Sequence, residues 1–254
     1  MVISYDEAIK ITQKFAEELN EKYQDKIIAV FVIGSLGSDY YRPGQSDIDT
    51  FIITKYDRNG RQTIRKGVRE IADKYENKYD VPKGFGAIVV AEEQLYPPYV
   101  KEEELILEIL RLKTQSKLIY GDYDIGTIPM PDKQAIIDDA LSFQEWIDET
   151  RQKESVENPH AVRKINGVIM VNSTLIALKR YLMIKHGIIE FNKFKVIGLY
   201  LENNPPIVND EAFEYINLYL QEKIADADDE QALRMTEWHD ELYRVINNLV
   251  LYRV

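Results

Sequence analysis

No cysteine occurs among the 254 residues, which excludes disulfides and cysteine-ligated zinc and points to a reducing compartment. No apolar run approaches the roughly 20 residues that a membrane span needs. The opening MVISYDEAIK lacks the basic-then-apolar order of a signal peptide. The expectation is a soluble, cytoplasmic protein with no membrane partner. Histidine is scarce: His160, His186 and His239 are scattered without metal-ligand spacing and read as caps or surface residues. Positive charge is also short, with 32 Lys and Arg against 43 Asp and Glu, a net charge of −11. Nucleic-acid binding draws most of its affinity from Lys and Arg neutralising phosphates, so this balance argues against a nucleic-acid partner. An acidic surface suits a cationic small molecule drawn in by the protein's field, or serves solubility alone. Internal repeats and low-complexity segments are absent, and the oligomeric state is not legible.

What is present begins with 45% hydrophobic residues, ample for a buried core in one large domain or two modest ones. Ile27 to Ile33 is an apolar run that reads as a buried strand. It breaks at Gly34-Ser35, and after a polar loop the chain resumes as Ser46-Asp47-Ile48-Asp49, leading into Phe51-Ile52-Ile53. Alternation along a strand points Asp47 and Asp49 the same way. Two adjacent carboxylates repel each other and lose hydration when buried. A hard divalent cation, Mg²⁺ above all, removes both costs. Gly34-Ser35 supplies backbone N–H groups and a hydroxyl of the kind that cradle phosphate.

This block, a Gly-Ser, a spacer of roughly ten residues and an Asp-x-Asp between two apolar strands, resembles the nucleotidyltransferase superfamily that includes polymerase β and the aminoglycoside nucleotidyltransferases. The resemblance implies Mg²⁺ held by Asp47 and Asp49, and ATP or another nucleoside triphosphate as donor. Gly34 and Ser35 would hold phosphates, Ser46 would touch phosphate or cap the turn, and Arg42 of the loop is within reach as a phosphate ligand. The family also places a third carboxylate on the neighbouring strand. Here that strand, at 85–91, contains no acid; Asp80 precedes it, and Glu92 and Glu93 follow it.

Helices are expected over 7–19, 64–75 and 102–119, and strands over 27–33, 48–54 and 85–91, in a small mixed sheet with helices on one face. Gly121 to Pro131 reads as a linker. Beyond it the spacing predicts helices at 132–153, 161–186, 193–202, 210–223 and 229–250. The fold class is thus α+β: a polymerase β-like catalytic domain at 1–125, then an all-α substrate domain at 126–254, with a cleft between them. The second half is similar to the C-terminal region of the streptomycin/spectinomycin adenylyltransferases in its LIALKRYLMIKHG…FNKFK stretch. There Lys193 corresponds to a phosphate-contacting lysine.

In the kanamycin-type relatives a glutamate from a C-terminal helix activates the acceptor hydroxyl, and Glu145 falls nearest that position. On the helix around it, Ile136, Ile137, Ala140, Leu141, Gln144 and Ile147 form the apolar face, with Asp148 closer to its centre than Glu145. Asp148 is therefore expected to be the more buried of the two candidate bases. Together these features imply a Mg²⁺-dependent enzyme like the aminoglycoside adenylyltransferases of antibiotic resistance. It would move AMP from ATP onto a hydroxyl of a small cationic acceptor. Two other readings stand beside it: an antitoxin-type enzyme that adenylylates a partner protein, and a nucleotide-binding module weakened by the bare third strand.

Overall fold

The computed structural model describes residues 2–38, 40–55, 58–81, 83–99, 105–157 and 162–203, with 216, 218, 220, 221, 235, 237–242 and 244; in 58–63, 150–157 and 162–170 it describes backbone alone. It divides into two compact units, residues 1–100 with 105–131, and residues 101–104 with 132–254.

The first unit opens with helix α1 (Tyr5–Tyr23), started by a capping box in which Ser4 and Glu7 satisfy each other's backbone N–H groups. Strand β1 (Ile27–Ile33) runs into a single helical turn, α2 (Gly34–Gly37), and a loop leads to β2 (Ile48–Thr54). Helix α3 (Arg58–Tyr79) then crosses to β3 (Phe85–Ala91), parallel to β2. Helix α4 (Leu105–Thr114) is followed at once by β4 (Ser116–Gly121), antiparallel to β1. Among the described residues the sheet runs β3-β2-β1-β4.

Two expectations are corrected here. The helix foreseen over 102–119 ends at Thr114, and its last four residues, from Ser116, belong to strand β4. Gln115 N–H and Ser116 Oγ–H donate to the Arg111 and Leu112 carbonyls and close the helix, after which β1, distant in sequence, captures the next six residues. Helices also cover both faces of the sheet, not one. Val30, Val32, Ile48, Ile52, Phe85 and Val89 face α1 and α3. Phe31, Ile33, Phe51, Ile53 and Val90 face α4 and the 3₁₀ turn at Glu92–Leu95. Alternation along strands this apolar fills two cores at once.

The second unit is helical among its described residues: α5 (Lys133–Glu157), α6 (Val162–His186) and α7 (Lys193–Asn203). Gly187, at φ 69°, ends α6, and Asn192 Oδ1 accepts the N–H groups of Phe194 and Lys195 to start α7. Between α5 and α6, Arg180 is fully buried and donates to Asp139 through Nε at 3.0 Å and Nη2 at 2.5 Å, with Phe143 stacked beneath it. The helices foreseen at 210–223 and 229–250 lie largely outside the described residues. Where described, Ile216, Met235, Trp238 and Leu242 are helical and buried.

Candidate active site

Gly34 ends β1 in the left-handed region, φ 66°, where a side chain would be strained. That conformation turns the chain into α2 and leaves room for Asp49: a Cβ on Gly34 would stand 3.4 Å from Asp49 Oδ2. Asp49 pairs with Ile33 on one side and Gly86 on the other. A Cβ on Gly86 would lie 2.3 Å from Asp49 Oδ1. The carboxylate is therefore cradled between two glycine backbones. The space that a side chain at position 86 would need is the space Asp49 uses.

Asp47 precedes β2, and both aspartates line a cavity of about 380 Å³ with Arg69, Glu76, Lys83, Phe85 and Gly86. Tyr41, from the loop, feels the charge of Asp47; burial first, then that carboxylate, raises its phenol above the ordinary range.

Ser35 is half-buried, and its Oγ is sealed from solvent with no hydrogen-bond partner among the described residues. A buried unmatched hydroxyl is costly, and a phosphate oxygen would satisfy it. The turn that presents it is braced: Ser38 Oγ–H donates to the Gly34 carbonyl at 2.7 Å. Gly37 packs so closely that a Cβ would come within 2.4 Å of the Gln115 carbonyl oxygen, and Tyr40 O–H donates to Gln115 Oε1 at 2.6 Å. The α4–β4 corner thus supports the loop.

Ser46 Oγ accepts Arg42 N–H at 3.0 Å across the turn, while Arg42 itself is exposed. Glu145 and Asp148 lie on α5 in the second unit, and Lys193 opens α7. Both acids are exposed, so the burial expected of Asp148 is absent. Phe143, absent from the foreseen apolar face, is buried and turns that face away from Asp148, whose Oδ1 accepts Gln144 Nε2–H at 2.9 Å.

The donor set suits a hard divalent ion. Mg²⁺ is commonly bound through one or two carboxylates, with water and substrate phosphates completing its shell. Asp47 and Asp49 are such a pair, lining one cavity. Among the described residues no three His, Asp or Glu side chains are grouped to share an ion. Sequence reading overlooked Gly86, Glu76, Lys83 and Arg69 in this cavity. The signal for Gly86 was available, since a glycine inside a strand marks close approach of something else.

The nucleotidyltransferase domain model matches residues 12–170, more than half of the chain. The chain belongs to the nucleotidyltransferase domain family. Spectinomycin adenyltransferase AAD(9) from Enterococcus faecialis, solved with ATP and spectinomycin, is similar in fold. The match covers 93% of this chain and 98% of that one, at 16% identity and a TM-score of 0.58. A tri-AMPylated Shewanella oneidensis HEPN toxin in complex with MNT antitoxin matches over 58% of this chain and 90% of that one. Its identity is 15% and its TM-score 0.26, too low to carry an argument. No curated protein matches the chain by sequence. No described helix is long and apolar enough to cross a membrane.

Proposed function

We propose that this nucleotidyltransferase moves AMP from ATP onto a hydroxyl of a small cationic acceptor of the aminoglycoside class. The observation that carries the reading is the Asp47–Asp49 pair set beside the turn that carries the unmatched Ser35 hydroxyl, Gly34 of that turn lying against the Asp49 carboxylate. Bound to the two aspartates, Mg²⁺ supplies charge neutralisation on the phosphate oxygens of the donor. Ser35 donates its hydroxyl hydrogen to a phosphate oxygen, and the N–H groups of the turn that follows Gly34 orient the same group. Likeness in fold to an adenyltransferase solved with ATP and spectinomycin supports both the donor and the acceptor class, and the net charge of −11 favours a cationic acceptor. Phosphate contact by Lys193 and hydroxyl deprotonation by Glu145 rest on resemblance, while Asp148 lacks the burial that made it the other candidate base. Loss of the acidic limb of the pH–rate profile in Glu145→Gln or in Asp148→Asn identifies the base.

Incubation with labelled ATP, Mg²⁺ and a panel of aminoglycosides tests the reading. Labelled drug supports it, and labelled protein redirects it to a protein acceptor. Nucleotide binding without pyrophosphate release favours a module that binds and does not turn over, a reading that the bare third strand keeps in view. Asp49→Asn removes a ligand charge at constant shape and is expected to abolish metal-dependent transfer while the melting temperature holds. Full activity in that variant overturns the metal assignment.

A further inference from the structure

Among the described residues strand β3 is an edge of the sheet, so backbone groups on its outer side have no strand to pair with there. At its first residue a side chain supplies the partner: Phe85 N–H donates to Glu76 Oε2, from α3, at 3.0 Å. The carbonyl of the same peptide, that of Gly84, points inward and accepts Ile48 N–H at 3.2 Å. Ile48 is the residue between the two aspartates. One peptide unit therefore connects the Glu76 carboxylate to the backbone of Asp47-Ile48-Asp49. An anionic acceptor polarises that peptide and makes its carbonyl the stronger acceptor for Ile48.

The connection is reinforced on both sides. Lys83 at φ 62° and Gly84 at φ 103° are consecutive residues in the left-handed region, a turn that persists only where its surroundings hold it. Glu76 Oε2 lies over that turn, 3.3 Å from where a Cβ on Gly84 would be, and the Glu76 carbonyl accepts Val81 N–H at 3.1 Å. Past the turn the chain reaches Gly86, whose backbone abuts the Asp49 carboxylate.

We infer that Glu76 is a positioning residue for the aspartate pair, setting the pair's geometry through the Gly84–Phe85 peptide. The inference rests on the reading of Asp47 and Asp49 as metal ligands. Glu76 lines the same cavity, but among the described residues no three acids are grouped around one point, so it acts through the backbone rather than as a third ligand.

The test compares full-length wild type, Glu76→Ala, Glu76→Gln, Glu76→Asp and Asp49→Asn by three measurements. These are melting temperature, amide hydrogen exchange of the metal-free protein, and Mn²⁺ titration by electron paramagnetic resonance with a non-hydrolysable ATP analogue. Glu76→Ala is expected to speed exchange at Phe85 and Ile48 and to weaken Mn²⁺ binding about tenfold, the scale of one lost charge-assisted hydrogen bond. Glu76→Gln, whose amide oxygen still accepts the Phe85 N–H, is expected to restore most of both. Glu76→Asp, which keeps the charge but falls short of Phe85, is expected to resemble Glu76→Ala and serves if the alanine variant does not fold. Unchanged exchange at Ile48 and unchanged Mn²⁺ affinity in Glu76→Ala or Glu76→Asp overturn the inference. So does wild-type affinity in Glu76→Asp with loss in Glu76→Gln, since charge alone would then matter. Mn²⁺ binding by Asp49→Asn equal to that of wild type overturns the metal reading instead, a result distinct from the other two.

Discussion

Ser35 separates what the fold needs from what the reaction needs. Its sealed, unmatched hydroxyl contributes nothing favourable to the protein without a ligand. Ser35→Ala is expected to leave stability unchanged or raise it by up to about 1 kcal/mol, while the KM for nucleotide rises about tenfold. Chemical denaturation and initial-rate kinetics measure the two effects, and a loss of stability would mean that the hydroxyl has a protein partner. Gly86 makes the converse case. Its missing side chain is what Asp49 occupies, and a Cβ placed 2.3 Å from Oδ1 must displace the carboxylate. Misplacing a catalytic group by an ångström costs about a hundredfold, so Gly86→Ala is expected to reduce kcat by that order. Retained turnover in this variant would show that Asp49 need not sit where the two glycines hold it.

At the scale of elements, the pairing of α5 with α6 rests on a buried charge. Arg180 is fully enclosed, and Asp139, 8% exposed, is its counter-ion. Removing one member of such a pair strands the other in a medium that solvates it poorly. Asp139→Ala is expected to cost about 3 to 5 kcal/mol, read as a lower denaturation midpoint. Sequence reading did not see this pair, because an acid on an amphipathic helix looks solvated until a partner from another helix is known. Strand β4 was hidden in the same way. Leu118, Ile119 and Tyr120 continue the helical spacing of the residues before them, and only the distant edge of β1 offers the hydrogen bonds that make them a strand. Where partners are local, the elements were legible: β1, β2 and β3 follow from compact apolar runs ended by Gly, Asp or Pro, and α1 from its helical spacing.

For the whole molecule the governing quantity is charge. A net −11 over 254 residues produces a field that attracts cations at long range. If the acceptor is cationic, its KM is expected to rise several-fold as ionic strength goes from about 0.01 to 0.15 M, where the screening length falls from about 30 to 8 Å. The kcat, set after the acceptor is bound, is expected to hold. A KM indifferent to salt argues for a neutral acceptor.

The sequence by itself determined the strands that flank Gly34-Ser35 and the placing of Asp47 and Asp49 at the start of the second of them, and with these the family. Those features depend on spacing along a few dozen residues, where periodicity and turn chemistry act directly. Tertiary structure decided what surrounds the pair: Gly86 opposite Asp49, Glu76 behind the Gly84–Phe85 peptide, and the α4–β4 corner under the Gly34–Gly37 turn. It also decided that Asp148 is exposed. Each of these is set by strand register or helix packing between residues far apart in the chain, and a register is fixed by partners that a linear reading does not contain.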